Sequence, residues 1–502
     1  MKKRILLVRT HCAVGTGGPR PPLELLYIAS MIMNNFKNEY ELKILDIGVG
    51  ALSFKEIKGE IAGFDPQIIC LSSLVWEAHS MHKITDISKK INKNTTVLVH
   101  GQIANLAKEY LLQDENIDFV IVGEGEITIC ELLDNLDKKG DFSRVDGIIY
   151  RLEEKTILTN PRLYIENLDD IIISSTAWDL VDVKAYAKSL SWNGSLKEKF
   201  YIPILTSRGC PFDCTFCCTR EVAGKKFRAR SPENVLSEIK FLYEKYNVRE
   251  IHFFDAVFNY DIERAKKICS LIINSGMKIS LAFPHGVRAD IMTKELIILL
   301  REAGAYKLTY GIETATPRLQ KMIKKNLNLN QVRNIIRETS ETGIIVGGYF
   351  MLGFPTETYD EMTQTIDFAV NSDLDIASFF KVTLLDDIVK FYKAKLQPKA
   401  ENKPYPYSFE DISYYSRERS HSQSSVLELN NVILKAQQKF YLNLRRICRG
   451  ILKFPHKGVF LKNLIIAFGL ILQSYLIRQL SSPSVNGNNL KKDDVDGRSL
   501  KS

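Results

Sequence analysis

Apolar and polar positions alternate along the first 150 residues in a repeating way. Ile5–Val8, Leu42–Leu45, Gln67–Leu71, Thr96–Val99 and Phe119–Val122 are short apolar runs that read as strands. Between them, Leu23–Asn35, Phe54–Ala62, Ser80–Ile91, Ile103–Leu112 and Ile127–Leu136 carry helical spacing. This alternation predicts a doubly wound parallel sheet. Ligands of such sheets bind beyond the carboxyl ends of the strands. Turn residues gather there, in His11–Pro22, Ser72–Met81, His100-Gly101-Gln102 and Gly123-Glu124-Gly125-Glu126. A nicotinamide fingerprint is excluded, because Gly15-Thr16-Gly17-Gly18-Pro19-Arg20 lacks its third glycine and runs into Pro21 and Pro22.

The rhythm then changes. Residues 151–200 hold one candidate strand, Lys155–Leu158, and otherwise read as a connecting segment in which Trp178 packs. From 201 to 400 six βα units follow, with strands at Tyr201–Thr206, Glu250–Phe254, Lys278–Phe283, Tyr306–Gly311, Ile344–Leu352 and Ile376–Thr383. Helices are expected at Pro232–Tyr246, Ile262–Ile273, Lys294–Ala303, Asn330–Thr342 and Tyr359–Asn371. Gly276, Gly304 and Gly343 stand where a left-handed helix cap wants glycine. After a linker at Glu401–Tyr407, helical spacing returns over Val432–Ile451 and Val459–Leu480. The longest charge-free run there, Asn463–Ile477, falls short of the roughly 20 residues of a spanning helix. The tail from Ser481 reads as disordered.

Net charge is 68 − 59 = +9. All of the excess lies in Asn430–Pro483, which has nine Lys and Arg and no acid. A general nucleic-acid surface is therefore not indicated. The basic segment has two readings: a cap packed on the preceding domain with its charges solvated, or an amphipathic helix on an anionic bilayer. The apolar run after the basic N-terminus is too short for a signal peptide. The nine cysteines are odd in number, and those at 12, 70, 130, 218, 269 and 448 sit mostly in apolar surroundings. A reducing, cytoplasmic location is expected, with peripheral membrane contact as the open alternative.

Cys210, Cys214 and Cys217 form C-x-x-x-C-x-x-C in a loop directly after a strand. Gly209, Pro211 and Asp213 mark a loop and not a core run. Zinc needs four ligands, and Cys218 would have to fold back on Cys217. A disulfide lacks a secretory context. Three thiolates instead hold three irons of a [4Fe–4S] cube and leave the fourth iron open.

With Phe216 before the third cysteine, this loop resembles the radical S-adenosylmethionine (SAM) superfamily. The resemblance implies a partial (β/α)6 barrel with chemistry at the strands' carboxyl rim. It implies an open iron that binds SAM, cleavage of SAM to a 5′-deoxyadenosyl radical, and a flavodoxin- or ferredoxin-like electron donor. It also implies a SAM site made of Asp255, Arg288, Glu313 and Gly353, the last within Gly348–Glu357. Other readings stay open: Asp255 and Glu313 as caps or ion-pair partners, Arg288 paired with Asp290, and Glu357 as the cap of the helix at Tyr359. Tyr306, Tyr310, Tyr349 and Phe350 line a pocket or pack the barrel. Leu384-Leu385-Asp386-Asp387 departs from the family's Pro-Gly-Thr.

The first half resembles the cobalamin-binding domain that precedes many such barrels. Pro21-Pro22-Leu23, Leu25, Tyr27, Ala29, the Ser72-Ser73 loop and Gly123-Glu124-Gly125-Glu126 carry this resemblance. It departs at His100-Gly101-Gln102-Ile103, where Gly-Gly-x-His is usual, and no Asp-x-His-x-x-Gly is present. His79 and His82 are either surface histidines or contenders for cobalt. Loss of cobalamin with retention of the fold is the alternative.

The expected architecture is α/β: an N-terminal doubly wound cobalamin-binding domain (1–150), a connecting segment (151–200), a radical SAM barrel (201–400), a helical region (401–480) and a tail (481–502). The implied reaction is methylation of an unactivated carbon in a small-molecule or lipid-like substrate. Cyclisation or rearrangement without methyl gain is the alternative, and a non-catalytic electron carrier or cobalamin sensor is the reading from another class.

Overall fold

The computed structural model describes residues 2–11, 20–138, 140–188, 196–383, 420–458 and 461. Residues 384–387, the helix expected at 459–480 and the tail lie outside these. Residues 1–455 form one compact unit and residues 456–502 a second.

The first sheet has seven strands, β1 (Lys3–Arg9), β2 (Tyr40–Asp46), β3 (Ile68–Ser72), β4 (Thr96–His100), β5 (Phe119–Ile121), β6 (Ile148–Leu152) and β7 (Lys155–Leu158), in the order β2-β1-β3-β4-β5-β6-β7. β1 to β5 are parallel and buried, as the apolar runs require. Side chains alternate across β1. Ile5 and Leu7 pack under α1 (Leu23–Asn35), while Leu6 and Val8 pack under α2 (Phe54–Phe64) and α3 (Ala78–Ile91). Ser53 starts α2 with a capping box to Glu56. The helix expected at 103–112 is shorter, α4 (Gln102–Ala107), and continues as a 3-10 turn. α5 (Gly125–Lys138) returns over the α1 face.

The sheet does not stop at residue 150, and it is not wholly parallel. β6 and β7 form an antiparallel hairpin on its edge. Glu153 takes the left-handed turn position at φ 54°, so no glycine marks the hairpin in the sequence.

The second sheet is β8 (Ile202–Ile204), β11 (Glu250–Phe253), β12 (Ser280–Val287), β13 (Ala305–Glu313), β14 (Ile345–Leu352) and β15 (Ile376–Lys381), all parallel and in chain order. Among the described residues β8 and β15 do not pair, so the barrel is open on one side. A two-stranded ribbon, β9 (Ser207–Arg208) with β10 (Arg228–Ala229), flanks the cysteine loop. α6 (Thr219–Ala223), α7 (Pro232–Lys245), α8 (Ile262–Asn274), α9 (Lys294–Glu302), α10 (Pro317–Met322), α11 (Leu329–Glu341) and α12 (Tyr359–Val370) follow in turn. Gly276, Gly304 and Gly343 take positive φ after α8, α9 and α11.

Among the described residues, the helix that follows β15 lies beyond residue 400. α13 (Val426–Tyr441) packs on β15 and α12, burying Leu429, Val432, Ala436 and Phe440. α14 (Leu444–Lys453) then crosses the barrel floor. Arg446 donates to the carbonyls of Phe440, Leu374, Val370 and Ser372. Arg449 pairs with Asp373 and Asp375, and Lys453 with Asp375. Arg446, Arg449 and Lys453 thus tie α14 to the barrel, while Arg445 stays exposed to solvent. No helix among the described residues is long and apolar enough to cross a membrane.

Candidate active site

At the carboxyl edge of the first sheet, three loops meet. Ser72 at the end of β3 and Ser73 just after it are buried, and Ser73 N–H donates to His100 O. Gly101 sits so close that a Cβ would lie 3.0 Å from Ser73 O. A Cβ on Gly125 would lie 2.8 Å from the His100 ring, so this glycine exists for close approach. Gly123, at φ 87°, faces open space. His100 Nδ1 is buried without a hydrogen-bond partner. Burial holds the His100 pKa low, so its imidazole is neutral. An open glycine face beside an orphaned buried nitrogen fits a bound cofactor. His79 is exposed on α3, and His82, largely buried, pairs with Asp114 at 2.7 Å.

Glu124 and Glu126 do something the sequence did not suggest. Both carboxylates are buried against arginines of the ribbon. Arg208 donates to Glu126 at 2.5 Å and to Glu124 at 3.2 Å, and Arg228 donates to Glu124 at 2.9 Å. Burial alone would raise the Glu126 pKa, but Arg208 outweighs it and holds the carboxyl low. Arg208 also lies over the Tyr27 ring, 5.0 Å from its centroid. On the other flank of the cysteine loop, Gln102 Nε2 donates to Cys218 Sγ at 3.2 Å. The loop is thus gripped on both sides by the first half of the chain.

Gly209 turns the chain out of the ribbon at φ 79°; a Cβ there would strike Lys226 O. Cys210 N–H donates to Gly224 O, and Thr215 N–H to Ile323 O. Phe216 packs on Phe354 near Leu319, Ile323 and Val382. Burial pushes the Cys210 and Cys214 thiols up, while Arg288 and Lys325 pull them down. Those cations favour the thiolates that an iron cluster requires. Among the described residues no three His, Cys, Asp or Glu side chains surround a single metal point. A cluster needs none, because each cysteine binds a different iron. Burial and the Cys217 neighbour raise the Cys218 thiol, and its sulfur is engaged by Gln102.

On the rim, Asp255 is buried. Its Oδ1 accepts from Thr206 and Ser207, while Oδ2 has no partner. That free oxygen fits an ammonium donor. Glu313 adopts a left-handed φ of 68° and accepts from Lys325 at 2.8 Å. Such strain clusters at functional sites. Arg288 is bidentate to Asp290 at 2.9 and 2.8 Å, the pairing that competed with a SAM role. Gly353 is left-handed, and a Cβ would meet Leu429 of α13 at 2.7 Å. Glu357 is not the helix cap; Thr358 is, with Glu361. Glu357 instead closes the glycine turn by accepting from Gly353 and Phe354 N–H at 2.6 and 2.9 Å. Burial raises its pKa to about 7. Of the aromatics, Tyr310 bonds Thr339 and Phe350 packs on Phe379, Tyr306 donates to Glu250, and Tyr349 donates to Pro284 O.

Between the two strand ends lies a cavity of ≈ 180 Å³, bounded by Arg20, Glu24 and Tyr27 from one half and by Leu205, Arg208 and Phe254 from the other. Sequence reading assigned no role to Arg20, Arg208, Arg228 or Lys325, since isolated basic residues carry no spacing signal.

Comparison with known proteins agrees with this geometry. Residues 204–369 match the radical SAM superfamily, and residues 13–133 match the B12 binding domain. An uncharacterized methyltransferase of Pyrococcus horikoshii is 33% identical over 384 residues, covering 76% of this chain and 80% of that protein. The cytidylyl-2-hydroxyethylphosphonate methyltransferase of Streptomyces wedmorensis is 27% identical, covering 72% and 75%. The solved radical SAM methyltransferase TsrM of Kitasatospora setae, with cobalamin and a [4Fe–4S] cluster bound, shares the fold at TM-score 0.63 and 18% identity over 76% of this chain and 72% of that one. The chain belongs to the cobalamin-dependent radical SAM enzymes, whose cofactors are a [4Fe–4S] cluster, SAM and cobalamin.

Proposed function

We propose that this enzyme methylates an unactivated carbon of a small molecule held between the two strand ends. The observation that carries the reading is the cavity that both halves line, with the cysteine loop fastened to the first half on each flank. Methyltransferase names among the relatives support it. When bound, the cluster and SAM supply radical chemistry and cobalamin supplies a transferable methyl group.

The chain's own residues position and seclude. Cys210, Cys214 and Cys217 hold the cluster. Asp255 offers an acceptor to the SAM ammonium, and the Gly353 turn, braced by Glu357, offers backbone beside it. Ser72, Ser73 and Gly123 border the space for the corrinoid, with His100 behind them. Glu124 and Glu126 act through Arg208 and Arg228 and keep the two rims in register. Arg449 and Lys453 of α14 are engaged with the barrel and lend no support to a lipid-like substrate.

The test is product mass. Reduced holoenzyme with methyl-deuterated SAM should yield 5′-deoxyadenosine and a product heavier by one labelled methyl group. A turned-over product without that gain would sink methylation and favour ring closure or rearrangement.

A further inference from the structure

β12 carries an irregularity that sequence spacing hid. Phe283 pairs with Leu308 and Val287 with Tyr310, so residues 284–286 stand opposite Thr309 alone. Two extra residues bulge from the strand. Bulges of this kind re-aim side chains beside active sites. Tyr349 reaches across from β14 and donates to Pro284 O at 2.5 Å, fixing the bulge.

The residue it presents is His285. The ring lies 4.1 Å from the Phe254 centroid at 47°. It is solvent-accessible. Yet protein encloses it closely enough that burial, with Arg20 and His252 nearby, lowers its pKa to about 3. The neutral ring reaches the cavity wall through Phe254, which it touches and which lines the cavity.

Phe254 is also the platform for Arg20, whose guanidinium carbon lies 5.3 Å from the ring centroid. Arg20 makes no side-chain hydrogen bond or ion pair among the described residues. The carboxylates near it are engaged elsewhere: Glu24 accepts from Ser72, and Glu77 accepts from Thr10 and from Leu74 N–H. A partly buried, uncommitted guanidinium is a costly thing to keep in a cavity wall without a ligand. Arginine's flat fork suits a carboxylate or phosphoryl group. The neutral imidazole adds one N–H donor without a second charge.

We infer that Arg20 and His285, both packed against the Phe254 ring, form a subsite for an anionic oxygen group of the substrate, a carboxylate or a phosphoryl group. This rests on the reading of the cavity as the substrate site.

Calorimetric titration of the full-length holoenzyme, without SAM, tests it with two probes, inorganic phosphate and acetate. One or both should bind saturably, and the stronger probe identifies the source. Arg20→Gln should weaken that binding by about tenfold or more, the loss expected for one charge-assisted contact. Arg20→Lys should keep part of it, and His285→Gln should weaken it by about threefold, the effect of one neutral hydrogen bond. Failure of both probes to bind wild type would overturn the subsite, as would unchanged binding in Arg20→Gln. Loss of the corrinoid absorption in Arg20→Gln, with iron content kept, would assign Arg20 to cobalamin and also overturn it. If Arg20→Gln does not fold, Arg20→Lys and His285→Gln decide, and full wild-type binding in both overturns the proposal. A product lacking the methyl gain would sink the methylation reading and leave anion binding untouched.

Discussion

At the scale of residues, cysteines and glycines were legible and arginines were not. C-x-x-x-C-x-x-C announces itself because three ligands on one loop must keep fixed spacing. Gly101 and Gly125 announce themselves because only glycine tolerates the approaches seen there, and Gly123 because it takes a left-handed φ. Arg208 is equally committed, to Glu124 and Glu126, but its partners lie more than eighty residues away. Nothing local marks such a pairing. The residue-scale prediction concerns Cys218, adjacent to a ligand yet bound to Gln102. Reconstituted Cys210→Ala, Cys214→Ala and Cys217→Ala should each lose most of the roughly four irons per chain and the cluster's visible absorption. Cys218→Ala should retain both. Equal iron loss in Cys218→Ala and Cys217→Ala would show that the ligands are misassigned.

At the scale of elements, periodicity found the parallel strands of both sheets, because each is a continuous apolar run buried on two faces. It missed β6, whose hairpin turn lacks glycine, and the β12 bulge, which leaves the apolar pattern intact on either side. It also placed in a separate C-terminal region a helix, α13, that packs on β15 and α12, since more than forty residues separate it from β15 in the sequence. α14 shows why charge alone misled. Arg445 is 88% exposed in its side chain, whereas Arg446 next to it is buried under carbonyls at the end of α12. Burial lowers the Arg446 pKa to about 10, still well above neutral pH. Arg446→Met removes several charged hydrogen bonds worth roughly 1.5–3 kcal/mol each, less what the side chain regains by packing. A net destabilisation of about 2–4 kcal/mol is expected, seen as a lower urea midpoint. Arg445→Ala should stay within about 0.5 kcal/mol of wild type. Equal midpoints for the two variants would refute the locking role of α14.

At the scale of the molecule, two sheets present their carboxyl ends to one cavity, and neither half alone encloses it. Each sheet type was legible, but the contact that joins them was not. Glu124 and Glu126 were read for a cofactor, yet the structure sets them on Arg208 and Arg228, and the resulting network is electrically balanced and almost wholly buried. Fully satisfied buried networks fix a unique arrangement, while half-satisfied ones are costly. Removing one partner therefore strands the other. Glu126→Gln should destabilise the junction by about 3–5 kcal/mol, because Arg208 keeps a buried charge with only Glu124, at the longer distance, and Tyr27. Arg208→Met should cost a similar amount for the converse reason. In the double variant both charges are gone, so the combined loss should fall short of the sum by about 1–3 kcal/mol. Urea unfolding of the four proteins, followed by tyrosine and tryptophan fluorescence, measures that coupling. Strict additivity would mean that the halves are held by something other than this ion network, and the register of cobalamin against the cluster would then have to come from the apolar packing of α1 on the barrel.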